Sequence, residues 1–150
     1  MSINYKIVDL EEKDFDNGFL ECLEILTEVG DIKKEKLIER FDLLKNLNTN
    51  KIIVARENGT NRVIATGALV LEYKYIRNLA IKGHIEDICV LKEYQGNGLG
   101  KNIILELIER AKSLKCYKIA LVCKKENVHF YEKCGFNENE VEMVIYTKDK

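Results

Sequence analysis

At 150 residues, with 24 basic and 25 acidic side chains interspersed and a net charge of −1, the sequence has the length of one domain, residues 1–150, with enough chain to bury a real core. That charge balance gives no electrostatic footprint for nucleic acid or an acidic membrane face, so a small molecule is the expected partner. Five cysteines (Cys22, Cys89, Cys116, Cys123 and Cys134) form no Cys-x-x-Cys pair and read as reduced thiols of a cytoplasmic protein. His84 and His129 are not spaced with them as a zinc site, so no metal is expected. No apolar run reaches the ~18 residues of a membrane span and no secretory leader stands at the start, so neither export nor a membrane is expected.

Taken in order, Tyr5 to Leu10 reads as a strand, and Glu11 to Asp14 turns into a helix. That helix carries Phe15, Phe19, Leu23 and Leu26 on one core-facing stripe and stops near Val29-Gly30. A second helix runs from Lys33 to about Leu47 with Leu37, Phe41 and Leu44 inward. Lys51 to Arg56 and Val63 to Glu72 flank Asn58-Gly59, a strong signal for an antiparallel hairpin. Tyr73 to Lys82 is a polar connection carrying Lys74, Arg77 and Lys82, and the central strand starts near Gly83.

The helix opened by Gly98 runs to about Leu114, with Leu99, Ile103, Leu107, Ala111 and Leu114 at helical steps. Tyr117 to Cys123 reads as a short apolar strand buried on both faces beside a parallel neighbour, making Ile85 to Val122 a right-handed crossover. Asn127 to Lys133 is a brief helix ended by Cys134-Gly135-Phe136. Val141 to Thr147 reads as a last strand, available to another subunit.

The chemistry concentrates in the stretch Glu86 to Lys101. An apolar strand, a short polar loop and three alternating glycines deliver a ligand to a helix N-terminus, where unpaired N–H groups and the helix dipole favour anions. Gly96, Gly98 and Gly100 allow positive φ against a pyrophosphate, and Lys101 adds charge. A P-loop is excluded because Gln95 stands where it needs glycine and Asn102 follows Lys101. The dinucleotide fingerprint fails because the residue three after Gly98 is Lys101. Glu86 and Asp87 are neighbours on a strand, so alternation sends their side chains to opposite faces and one of them can meet an acceptor.

Gln95-Gly96-Asn97-Gly98-Leu99-Gly100 resembles the acetyl-CoA pyrophosphate motif of the GNAT superfamily of N-acetyltransferases, (Arg/Gln)-x-x-Gly-x-(Gly/Ala). Gly83 to Ile88, Cys116 to Ile119 and Glu126 to Phe136 are similar, more narrowly, to the branch that acetylates glucosamine 6-phosphate; the likeness is dense from Lys74 to Met143. The resemblance implies an α/β fold with one mixed, mostly antiparallel sheet flanked by helices and splayed between its two central parallel strands. It implies acetyl-CoA as co-substrate, with Ile88, Cys89 and Val90 along the pantetheine and Gln95, Gly96, Asn97, Gly98, Leu99, Gly100 and Lys101 at the pyrophosphate. By the same resemblance Asn127 and Tyr131 would also touch the cofactor, with Tyr131 as general acid or hydrogen-bond donor to the sulfur. Direct attack by the amine needs no acyl-enzyme, so Cys89 reads as core filler.

Glu86, Asp87 and Ile88 would meet the amino sugar, the two carboxylates also serving the amine proton. Thr27, Lys74, Tyr75, Ile76, Arg77, Tyr117 and Lys118 match positions near the sugar phosphate, with Lys74 and Arg77 as its charged contacts. A homodimer with the C-terminal strand in the interface is also implied. Two departures stand out: Val122 replaces an acid before Cys123, and Tyr146 replaces an arginine that reaches the partner's phosphate site, with Lys148 close by. Two rivals remain open, an acetyltransferase for another amine or peptide and a CoA-binding module without catalysis.

Overall fold

The computed structural model describes residues 2–149. Five strands form one sheet in the order β1 (Tyr5–Asp9), β2 (Asn50–Glu57), β3 (Val63–Tyr73), β4 (Ile81–Val90) and β5 (Cys116–Ala120). The first three pairings are antiparallel and β4–β5 is parallel. Parallel pairing lasts only from Ile81 opposite Cys116 to His84 opposite Ala120, so among the described residues the remainder of β4 has no neighbour on that side. That splay opens the sheet between its last two strands, β4 and the edge strand β5.

The helices are α1 (Phe19–Glu24), α2 (Lys34–Leu47), a single turn α3 (Ile76–Leu79), α4 (Leu99–Ser113) and α5 (Val128–Lys133). Short 3-10 turns precede α1 (Glu12–Asp16), α4 (Lys92–Tyr94) and α5 (Lys125–Asn127). The core lies between α4 and the middle strands. Ile103, Ile104, Leu107 and Ala111 on α4 and Ile53, Val54, Ile64 and Leu69 on the sheet are fully buried. Each large aliphatic side chain contributes about 1.5–3 kcal/mol by leaving water. Gly67 permits this close approach, because a Cβ there would sit 2.6 Å from Ile88 Cδ1 and 2.7 Å from Ile103 Cγ2.

A buried ion pair ties the first turn to β2. Arg56 Nε donates to Asp14 Oδ1 at 2.8 Å and Arg56 Nη2 to Asp14 Oδ2 at 2.8 Å and to Glu11 Oε2 at 2.6 Å. Asp14 Oδ2 also accepts from the Glu11 N–H at 2.8 Å, so its charge is matched on several sides.

Five expectations about these elements are corrected. The first helix is broken at Gly18, whose φ of +103° and whose approach to Val63 (a Cβ would lie 2.4 Å from the Val63 oxygen) end the 3-10 turn and restart the chain as α1. It also stops at Glu24, short of Gly30, because the N–H groups of Leu26 and Thr27 both fold back on Leu23 O, at 2.9 and 3.2 Å. Leu26 is consequently 52% exposed, outside the core. β5 is an edge strand with Tyr117 and Lys118 exposed, since among the described residues no strand lies beyond it.

For the same reason Val141 to Thr147 forms no strand within this chain, and Val141, Met143 and Ile145 stand 87, 92 and 86% exposed. Finally, Asp87 has φ +54° and shares with Ile88 the place opposite Gly67, while Glu86 faces Ala68 and Cys89 faces Thr66. This bulge breaks the alternation expected of Glu86 and Asp87, and both carboxylates stay exposed.

Candidate active site

The splay leads into a cleft of about 500 Å³. Ile88, Cys89 and Val90 form its strand wall and Gln95, Gly96, Gly98, Leu99, Gly100 and Lys101 its loop wall, while Asn127 and Tyr131 close it from the α5 side. The residues read from the sequence as a cofactor site are thereby gathered at one place. Asn97 alone stands apart from the lining: its Nδ2 donates to the carbonyls of Tyr94 (3.1 Å) and Gln95 (3.2 Å), stapling the loop from behind. Four further lining residues were not anticipated, Ile25, Leu26, Tyr94 and Phe130. Only Phe130, beside Tyr131, carried a sequence signal; Ile25 and Leu26 enter because α1 ends early.

The loop leaves backbone donors open at a helix N-terminus. Gln95 Nε2 donates to Val90 O at 3.0 Å, fixing the strand end against the loop. Gly96 and Gly98 take φ of +81° and +79° with nothing within 4 Å of a would-be Cβ, so their requirement is conformational. Gly100 differs from the expectation: it lies inside α4 without a positive φ, and a Cβ there would meet Val90 Cγ2 and Phe130 Cζ at 3.6 and 3.7 Å, ordinary contacts. The first bond onto the Gly98 carbonyl comes from the Asn102 N–H, leaving the N–H groups of the first turn of a 15-residue helix for a ligand. These groups fit a pyrophosphate.

In the cleft lining, Cys89 and Tyr131 are held protonated. Burial, and then Asp87, push the Cys89 thiol up to about 11, which removes its nucleophilic form at neutral pH. Tyr131 packs edge-on to Phe130 (5.1 Å) and Phe136 (6.2 Å). Burial raises its hydroxyl above the ordinary tyrosine value, with Cys123, Cys134 and Cys89 adding to the shift. Among the described residues no group hydrogen-bonds that hydroxyl, so its proton is available to a ligand.

Partial desolvation, although the side chain stays exposed, and then the Asp87 charge raise the Glu86 carboxyl, with His84 opposing and Glu142 reinforcing the shift. Glu72 links Lys74 Nζ (2.8 Å) and His84 Nε2 (2.9 Å), and those two hydrogen bonds, that of Lys74 first, hold its carboxyl down to about 2. The Arg77 guanidinium lies 5.5 Å over the Tyr117 ring and Lys118 Nζ 5.8 Å from it. Tyr117 also acts electrostatically on Lys74, so Lys74, Arg77, Tyr117 and Lys118 share one surface where α3 meets β5. Arg77, Asn78 and Leu79 reach it through consecutive left-handed residues, φ +50°, +58° and +62°. Tyr75 and Ile76 are exposed in the same turn, and exposed Thr27 lies just past the α1 end with its side chain outside the cleft lining. Among the described residues no three metal-ligand side chains gather, and no helix is long and apolar enough to cross a membrane.

Residues 7–136 match the Acetyltransferase (GNAT) family. The chain belongs to the GNAT acetyltransferase family. Over 145 residues it is 45% identical to glucosamine 6-phosphate N-acetyltransferase 1 of Dictyostelium discoideum, covering 96% of this chain and 90% of that protein. It is 41% identical over 140 residues to glucosamine 6-phosphate N-acetyltransferase of Candida albicans, covering 93% and 94%. The crystal structure of glucosamine-6-phosphate N-acetyltransferase from Arabidopsis thaliana superposes with a TM-score of 0.93 at 36% identity, covering 97% of this chain and 99% of that one. This GNAT chain therefore shares the fold of those enzymes along nearly its whole length.

Proposed function

We propose that this enzyme transfers the acetyl group of acetyl-CoA to the 2-amino group of D-glucosamine 6-phosphate, giving N-acetylglucosamine 6-phosphate and CoA, as its named relatives do. One observation carries the reading: a single cleft joins an unpaired strand segment, a glycine loop at a helix N-terminus and a protonated tyrosine. Acetyl-CoA, when bound, supplies the activated acyl group.

The N–H groups of the α4 first turn and the Gly96–Gly98 backbone bind the pyrophosphate, and Ile88-Cys89-Val90 lie along the pantetheine arm. Glu86 and Asp87 orient the amine and accept, directly or through a water, the proton it loses as its nitrogen bonds to the acyl carbon. An amino-sugar amine titrates near the α-amino value of about 8, so a weak base suffices. Tyr131 donates its proton to the sulfur as the carbon–sulfur bond breaks. No protein nucleophile is needed, consistent with the high pKa of Cys89.

Lys74, Arg77 and Lys118 receive the 6-phosphate in this reading, with Thr27, Tyr75, Ile76 and Tyr117 around them. They act in place of the arginine that Tyr146 replaces. The exposed apolar segment around Val141 to Ile145 and the open outer edge of β5 support a homodimer in which that segment pairs with a second copy. Five free thiols support a reducing, cytoplasmic setting. The test is product identity: incubation with acetyl-CoA and D-glucosamine 6-phosphate, read by mass spectrometry and NMR. An N2-acetylated 6-phosphate supports the assignment; absence of product with a folded, CoA-binding enzyme removes the acceptor.

A further inference from the structure

The turn Lys92–Tyr94 feeds directly into the glycine loop, yet its outer face is tied to a distant part of the chain. Tyr94 Oη donates to Glu57 Oε2 at 2.8 Å, and Arg62 Nη1 pairs with Glu93 Oε1 at 3.2 Å. Glu57 and Arg62 are the two ends of the β2–β3 loop. That loop is internally closed: the Glu57 N–H donates to Arg62 O (2.9 Å), the Asn61 N–H to Glu57 O (2.9 Å), and Thr60 Oγ1 to the other Glu57 oxygen (3.0 Å). Both oxygens of Glu57 are thus used, one to hold the loop and one to hold Tyr94.

The base of this bracket does not move easily. Val63 and Ile64 are fully buried, and the Leu91 N–H donates to Ile64 O at 2.9 Å just before the turn. The Val63 N–H donates to Asn17 O at 2.8 Å, immediately before α1. Tyr94 itself lines the cleft beside Gln95, Gly96 and Gly98. The carboxylate of Glu57, acting first, also raises the Tyr94 hydroxyl, so the phenol stays a donor.

We infer that Glu57 and Tyr94 are positioning residues for the cofactor pyrophosphate: their hydrogen bond anchors the turn and so sets where the glycine loop presents its N–H groups. The inference rests on the acetyl-CoA reading of this cleft. Neither residue touches the reacting atoms. Loss of the bond lets the loop sample other positions, and the cost falls on binding the pyrophosphate, with the acyl chemistry untouched.

The experiment uses Tyr94→Phe, which keeps the ring, and Glu57→Gln, which keeps an acceptor without the charge. KM for acetyl-CoA and for the amino-sugar phosphate, kcat, and calorimetric binding of CoA and of pantetheine are measured for each. Tyr94→Phe should raise the acetyl-CoA KM and the CoA dissociation constant on the order of five-fold, the loss of one partly exposed charge-assisted bond. Its kcat, its acceptor KM and its pantetheine affinity should stay within about two-fold of the parent. Glu57→Gln should fall between the parent and Tyr94→Phe, and the double variant should be no worse than Tyr94→Phe alone.

An unchanged CoA affinity in Tyr94→Phe, an equal loss for pantetheine, or additive losses in the double variant would overturn the inference. Parent protein that fails to bind CoA would instead overturn the cofactor reading on which it rests.

Discussion

Replacing Tyr131 by phenylalanine removes one oxygen and leaves the ring between Phe130 and Phe136, at 5.1 and 6.2 Å, as before. Because the hydroxyl bonds to no described residue, its loss orphans no protein partner, and the folded state should change by less than about 0.5 kcal/mol. A general acid contributes about 10²–10⁴ in rate, or about 2.7–5.5 kcal/mol of barrier. CoA thiol release at saturating acetyl-CoA and amino-sugar phosphate should therefore fall at least about 10²-fold in kcat, with KM for acetyl-CoA changed by less than about three-fold. The raised Tyr131 pKa fixes the direction of the alkaline limb: the proton is kept as pH rises, so the parent's kcat should not fall before pH passes the ordinary tyrosine range. A Tyr131→Phe protein with the parent's melting temperature and a kcat within about two-fold of it would refute the assignment and leave Tyr131 as packing.

Asp87→Asn removes the like charge that helps raise Glu86, so the acid limb of the kcat/KM profile should move to lower pH; a stationary limb would detach Glu86 from that limb. Glu86 binds its proton more tightly folded than unfolded, so stability is lost as pH rises from its unfolded value of about 4.3 through its raised folded value. Glu86→Gln should accordingly gain stability relative to the parent at pH 7 and gain none below the unfolded value, as read by thermal unfolding at the two pH values. Arg56→Ala leaves Asp14, 1% exposed, with its charge uncompensated and should cost about 3–5 kcal/mol in urea unfolding; a cost below about 1 kcal/mol would show that the pair is not buried as described. Gly18→Ala forces a Cβ to within 2.4 Å of the Val63 oxygen, whereas Gly30, at φ +95°, has nothing within 4 Å. The first substitution should be severely destabilising and the second should cost only about 1–2 kcal/mol, and equal losses in denaturant would contradict the contact.

The glycine loop and α4 were legible in the sequence because their causes are local. Gly96 and Gly98 do need left-handed backbone, and the stripe from Leu99 to Ala111 repeats at helical steps. The β2–β3 hairpin announced itself through Asn58-Gly59 for the same reason. What stayed hidden depends on partners far along the chain. Gly18 breaks the first helix because of a carbonyl at Val63, and Asp87 bulges because the two residues it and Ile88 supply stand opposite Gly67 alone. Arg56 stands one residue before the end of β2, a strand that reads as apolar, yet its guanidinium is buried against Asp14.

Apolar composition misled in one direction only. Residues 117–123 look like a strand covered on both faces and residues 141–147 like a strand available to another subunit, but composition says nothing about which edge a strand occupies or whether a segment finds a partner in its own chain. In the site, the strand, loop and α5 residues lie along one cleft with Asn97 outside its lining, and Ile25, Leu26 and Tyr94 were missed because hydrophobic side chains at a cleft wall carry the same signature as core.

The most direct test of the acceptor assignment is CoA thiol release with acetyl-CoA and D-glucosamine 6-phosphate, run beside D-glucosamine and D-glucosamine 1-phosphate under identical conditions. The account, with Lys74, Arg77 and Lys118 taking the 6-phosphate, predicts rapid release with the 6-phosphate and a kcat/KM at least about 10²-fold lower with the other two, a floor set by losing any two of those three charge-assisted contacts. Equal rates with free glucosamine would contradict that phosphate site, and no release with any of the three would contradict the amino-sugar acceptor itself.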